Sequence, residues 1–133
     1  MLGLGSLSCQ RGNEYVLREI ARLRPSVVLM FANWSGGPAD WLPDSYLRRQ
    51  LDLTLAELAK VEGTRIVFLG PSPQWNRPLP RLLIGAWQGN RSLTRPPERL
   101  SHGLKQQALT VDRNMASYVA RNGVRYVSLI ALL

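Results

Sequence analysis

Few side chains in this 133-residue chain are equipped for covalent chemistry. His102 is the only histidine, so any serine mechanism with a histidine base must run through it. Cys9 is the only cysteine, which excludes an internal disulfide, and one His with one Cys is too few for a zinc site. The serines that come nearest to a nucleophile turn are Ser6 and Ser8 in Gly3-Leu4-Gly5-Ser6-Leu7-Ser8. With no strand before them and no aspartate beside them, they read as residues of a flexible terminus. His102, in Leu100-Ser101-His102-Gly103, reads as a surface or capping residue.

Recognition chemistry is better represented. Asn33-Trp34-Ser35 closes a long apolar run, and Trp34, Trp41, Trp75 and Trp87 all fall in or next to predicted loops. An indole near a strand end either stacks on a sugar ring or packs under a loop. Between Gln74 and Lys105 stand Arg77, Arg81, Arg91, Arg95, Arg99 and Lys105 against one acid, Glu98. Guanidinium groups form paired hydrogen bonds to phosphate or carboxylate, so a glycan bearing such a group suits this stretch. A linker without fixed structure over residues 91–101 is the competing reading.

The elements that must position these residues follow from hydrophobic periodicity. Val27 to Ala32, after Pro25, is an apolar strand, and an apolar run of this kind is expected to be covered on both faces, as in open α/β sheets. In such sheets ligands bind beyond the carboxyl ends of the strands, which puts Asn33, Trp34 and Ser35 at the expected site. A helix over Asn13 to Arg24 precedes the strand. A second helix with Leu47, Leu51, Leu55 and Leu58 on one face, capped by Asp44 or Ser45, runs toward Gly63. Arg65 to Leu69 is the second strand, cut off by Gly70-Pro71-Ser72-Pro73, and a long Arg-, Pro- and Gly-rich loop is expected over 71–103. A third helix from Leu104 and a strand over Val124 to Ile130 complete an αβαβαβ order. That order predicts a single domain over 1–133, a three-layer α/β sandwich with a parallel sheet and right-handed crossovers. With only three strands, Val27 to Ala32 lies at an edge without the charge or proline that usually protects one. The expectation is that a further strand, from upstream sequence or a second copy, pairs with it.

The formal charge of +8 comes from 15 Arg and 2 Lys against 9 acids. It suits an anionic partner or a solvated basic surface, and no nucleic-acid-binding signature accompanies it, so no nucleic acid is expected. No run approaches the about 18 apolar residues of a membrane span. Residues 1–10 lack the features of a secretory signal. No glycine-rich phosphate loop is present, so no cofactor is expected.

The order of apolar strand, Asn33-Trp34-Ser35, long helix, strand, Gly70-Pro71-Ser72-Pro73, long loop, helix and Gly123-Val124-Arg125-Tyr126-Val127-Ser128-Leu129 resembles the middle of an SGNH hydrolase-like domain. More narrowly it resembles the version fused behind the membrane acyltransferase family three proteins that O-acylate bacterial surface glycans. Cys9 followed by Asn13-Glu14-Tyr15-Val16-Leu17 is also similar.

The resemblance implies a flavodoxin-like sheet and ester chemistry by a Ser-His-Asp set with an oxyanion hole. It implies that Asn33 is a candidate oxyanion donor, the alternative being a turn-forming asparagine. Trp34, Ser35, Ser72, Trp75 and Arg77 are then the candidate substrate-binding residues. The family's Gly-Asp-Ser and Asp-x-x-His turns do not occur in this chain. The expectation is a partial SGNH-like domain, truncated at both ends and inactive alone, from a parent that O-acetylates envelope carbohydrate. The partners so implied are an acylated or acyl-accepting glycan and an upstream membrane acyltransferase domain, at the periplasmic face of the bacterial inner membrane. Self-association through strand 27–32 is a further expectation. The reading from another class is a non-enzymatic, Arg-rich α/β module that binds an anionic polymer.

Overall fold

The computed structural model describes residues 7–32, 34, 38–90, 92, 94–98, 100 and 102–133. The elements are α1 (Leu7–Leu23), β1 (Val27–Met30), α2 (Tyr46–Leu58), β2 (Arg65–Leu69), α3 (Leu79–Gly89), α4 (Gln106–Arg121) and β3 (Arg125–Val127), with a 3-10 turn at Pro38–Trp41. The three strands form one parallel sheet in the order β1-β2-β3. Val27 lies opposite Arg65 and Met30 opposite Phe68, while Val67 lies opposite Arg125 and Leu69 opposite Val127. The α/β fold class expected from the sequence is the one found.

Local chemistry sets the element ends. Ser45 caps α2: its hydroxyl accepts from the Arg48 N–H at 3.3 Å and donates to the Asp40 carbonyl. Helix α1 stops at Arg24, which has a φ of 44° and whose N–H donates to the Ile20 carbonyl at 2.9 Å. This is a left-handed cap built without glycine. The Thr64 hydroxyl donates to the Pro25 carbonyl at 2.8 Å, pinning the start of β2 to the start of β1.

The core sits on one side of the sheet. Phe68, fully buried in β2, belongs to one buried cluster with Leu51 and Leu55 of α2 and Val111, Met115, Tyr118 and Val119 of α4. Met30, Ile66 and Tyr126, which share the Phe68 face by the two-residue period of a strand, complete the inner surface. Burying side chains of this size contributes about 1.5–3 kcal/mol each.

Three expectations are corrected. First, β1 is covered by described elements on its Val28 and Met30 face only. Val27, Leu29 and Phe31 point the other way, with Leu29 63% and Phe31 57% exposed. Second, residues 71–103 are not one loop. Helix α3 lies within them, entered through Pro80 in its first turn, and an antiparallel bridge between Trp75 and Leu104 closes the excursion at its base. Third, α1 begins at Leu7, so Ser8 and Cys9 belong to its first turn, and β3 is only three residues long.

Candidate functional site

The carboxyl end of the sheet is closed by aromatic packing rather than left open. Trp34 stacks on Phe68 with ring centroids 5.8 Å apart and meets Trp41 edge to face at 5.7 Å, and Trp41 in turn meets Tyr118 at 6.0 Å. The Trp34 indole N–H donates to the Leu69 carbonyl at 2.8 Å, joining the ends of β1 and β2. Trp34 is 4% exposed. Of the two roles open to an indole at this strand end, the one realised by its surroundings is packing.

Behind this plug, Tyr118 donates to Asp52 Oδ1 at 2.6 Å while the Arg48 guanidinium lies 4.9 Å from the ring centroid of Tyr118. Burial, and then the hydrogen bond and charge of Asp52, push the Tyr118 hydroxyl well above its ordinary pKa, and Arg48 opposes them. Trp41 Nε1 and Arg48 Nε are buried there without hydrogen-bond partners.

A second polar knot lies where β2 and β3 end. Asp112 of α4 accepts from the Tyr126 hydroxyl at 2.6 Å and from the Ser128 hydroxyl at 2.9 Å. Burial and the Asp112 carboxylate drive the Tyr126 hydroxyl far above its ordinary value. The knot needs Gly70 beside it: a Cβ there would overlap Tyr126 Oη and come within 2.8 Å of Asp112 Oδ1. The Gly70 N–H donates to the Val127 carbonyl at 2.8 Å, so it extends the β2–β3 pairing to the rim of the site.

Beyond this rim the chain turns through Pro71 and the exposed Ser72 into a short two-strand clamp. The Asn76 N–H donates to the Gly103 carbonyl at 2.9 Å and the Lys105 N–H to the Gln74 carbonyl at 2.7 Å. The Trp75 indole donates to the Leu100 carbonyl at 3.1 Å, and Leu100 is buried. Gly103, at a φ of 78°, makes the turn back, with Leu82 of α3 against it. The clamp holds the half-buried Trp75 and the exposed Arg77 and Lys105 along one open groove. His102 is exposed on the turn just before Gly103.

The structure thus brings Trp75 and Arg77 together, sets Ser72 outside that groove and places Trp34 in the core. Asn33, Ser35 and Ser6 lie outside the described residues. Lys105 completes the groove although its distance along the chain from Arg77 hid the pairing. The Asp112, Tyr126 and Gly70 knot joins three separate elements and has no local sequence signal.

No protein-family model and no curated protein matches the chain. Among solved structures, a match of TM-score 0.67 at 24% identity covers 90% of this chain: the periplasmic domain of a lipopolysaccharide acetyltransferase from Salmonella ser. Paratyphi A. The chain shares the α/β fold of that domain. It spans 45% of the length of the acetyltransferase chain. No described helix is long and apolar enough to cross a membrane.

Proposed function

We propose that this chain is an SGNH-like domain of a protein that transfers an O-acyl group, acetyl first among candidates, to a carbohydrate of the bacterial envelope. The observation that carries this reading is the fold shared over nine-tenths of the chain with an acetyltransferase domain. The groove of Trp75 and Arg77 beyond the carboxyl end of the sheet supports it, because that is where α/β sheets bind ligands and an indole beside a guanidinium suits a sugar. On this reading the work is done in the periplasm, at the face of the inner membrane, with acyl groups supplied by a membrane acyltransferase domain. The open edge of β1 takes a further strand, and a second copy of the chain is one source of it.

The chain's own contribution is to hold the acceptor. Asn33, at the end of the β1 segment, is the proposed oxyanion donor. The nucleophile and its base are not proposed from these residues, since neither Gly-Asp-Ser nor Asp-x-x-His occurs in the sequence and Asp112 is engaged by Tyr126 and Ser128. The purified chain should therefore leave small acetyl and butyryl esters intact. Ester turnover that disappears on His102→Ala would overturn this assignment by revealing a local serine-histidine pair, and turnover that survives both His102→Ala and Ser6→Ala would show that the catalytic groups have been sought in the wrong place.

A further inference from the structure

Resting on the acyl-transfer reading and going beyond it, we infer that the groove between residues 73–79 and Lys105 binds an anionic glycan. Its sugar ring lies along Trp75 and its oxyanion group sits between Arg77 and Lys105.

Three observations carry this. The first is that the groove is built. Its two sides are joined by the 2.7 Å and 2.9 Å backbone bonds of the clamp, and the Trp75 ring is oriented by its bond to the Leu100 carbonyl. The Trp75 face that a sugar meets there is already ordered, so little freedom is lost in forming that contact. The second is charge. Pro73, Gln74, Trp75, Arg77, Pro78 and Lys105 line the groove with two cations and no acid. Among the described residues the ion pairs are Arg22 with Glu19, Lys60 with Glu57 and Arg95 with Glu98, and neither groove cation takes part in one. The third is the start of α4. Lys105 is its N-cap residue, makes no side-chain cap bond, and is followed by a first turn without acid. The positive end of a 16-residue helix thus adds to the two side chains at the same place. A neutral sugar would use the indole and leave both cations unanswered. A uronic acid or a sugar phosphate uses all three, with Arg77 supplying a two-point hydrogen bond and Lys105 a point charge.

The test titrates the full 133-residue chain, ¹⁵N-labelled, with an oligogalacturonate, the neutral galactan oligosaccharide of equal length, and galactose 1-phosphate. The inference expects the uronate to shift the Trp75 indole and the Lys105 amide, and to bind on the order of tenfold more tightly than the neutral sugar. Arg77→Ala and Lys105→Ala should each weaken the uronate on the order of tenfold, while Arg49→Ala, which removes the same charge from an exposed position on α2, should leave it unchanged. The spectrum of each variant also reports whether it is folded. Tight binding by galactose 1-phosphate at the same amides supports the site with phosphate as its oxyanion, and tight binding by the uronate alone supports it with carboxylate. Equal losses from Arg49→Ala and Arg77→Ala would overturn the inference in favour of diffuse charge. If the neutral and acidic sugars bind equally at Trp75, the anionic inference fails while the glycan reading stands. If the uronate binds as expected but the whole protein transfers no acyl group, the groove stands and the acyl-transfer reading fails.

Discussion

Gly70→Ala is the smallest substitution that tests how the rim of the site is held together. The new methyl group would overlap Tyr126 Oη and lie 2.8 Å from Asp112 Oδ1 and 3.1 Å from Tyr126 Cζ. These atoms cannot simply swing aside, because Tyr126 is fixed by a 2.6 Å bond to Asp112, and Asp112 is held a second time by Ser128. Overpacking of this kind costs about 1–3 kcal/mol. Losing a hydrogen bond to a charged acceptor costs about 1.5–3 kcal/mol. The two overlap, since moving Tyr126 relieves the clash by giving up the bond, and a net loss of about 3 kcal/mol is expected. Urea unfolding followed by tryptophan fluorescence measures it directly, as Trp34 and Trp41 are buried. With a slope of about 1–3 kcal/mol/M, the midpoint should fall by about 1–3 M. Tyr126→Phe removes the overlapping oxygen, so Gly70→Ala should cost less in that background than in the wild type. An unchanged midpoint, or equal losses in the two backgrounds, would refute the claim that Gly70 is present to make room for this hydrogen bond.

The same tyrosines set a pH dependence. The hydroxyls of Tyr118 and Tyr126 ionise at higher pH in the folded chain than in the unfolded one, so their stabilisation is intact below about pH 10 and is lost as pH rises through the folded values. Thermal unfolding scans should show stability falling above about pH 10, and less steeply in a Tyr118→Phe, Tyr126→Phe double variant. Among the described residues nothing pairs with the outer edge of β1, which predicts association that grows with protein concentration. Leu29→Lys, which puts a charge on its exposed face, should shift light scattering toward the monomer, and a wild type monomeric at all concentrations would count against self-pairing. Arg24 holds a left-handed conformation without being glycine, so Arg24→Gly should raise stability by about 0.5–1 kcal/mol in the same urea assay.

The parts of the fold that were legible in the sequence have short-range causes. The leucine spacing of α2 begins at a serine cap, and β2 runs as expected from Arg65 to Leu69 before Gly70-Pro71. The edge position expected for Val27 to Ala32 in a three-stranded sheet is the position β1 holds. The parts that were not legible depend on contacts between distant residues. Helix α3 carries Pro80, Gly85 and Gly89, which read as loop residues in a sequence and hid an apolar spacing no weaker than that of α2. The plug formed by Trp34 and Trp41 sits on irregular backbone, where ring contacts leave no period to detect. An apolar run also cannot reveal which face is covered, and in β1 the side of Leu29 is exposed. At the candidate site, Trp75, Arg77 and Lys105 were found from their residue types, while the placement of Lys105 beside the other two, and not of the remaining basic residues, emerged only from the clamp.

The acyl-transfer account is tested most directly by the O-acetyl content of envelope polysaccharide, measured by proton NMR on material from cells with the coding sequence intact, deleted and restored. The account predicts that the acetyl signals fall on deletion and return on restoration, and that they return only in part when the restored copy carries Arg77→Ala and Lys105→Ala together. Acetyl signals unchanged by deletion would contradict it.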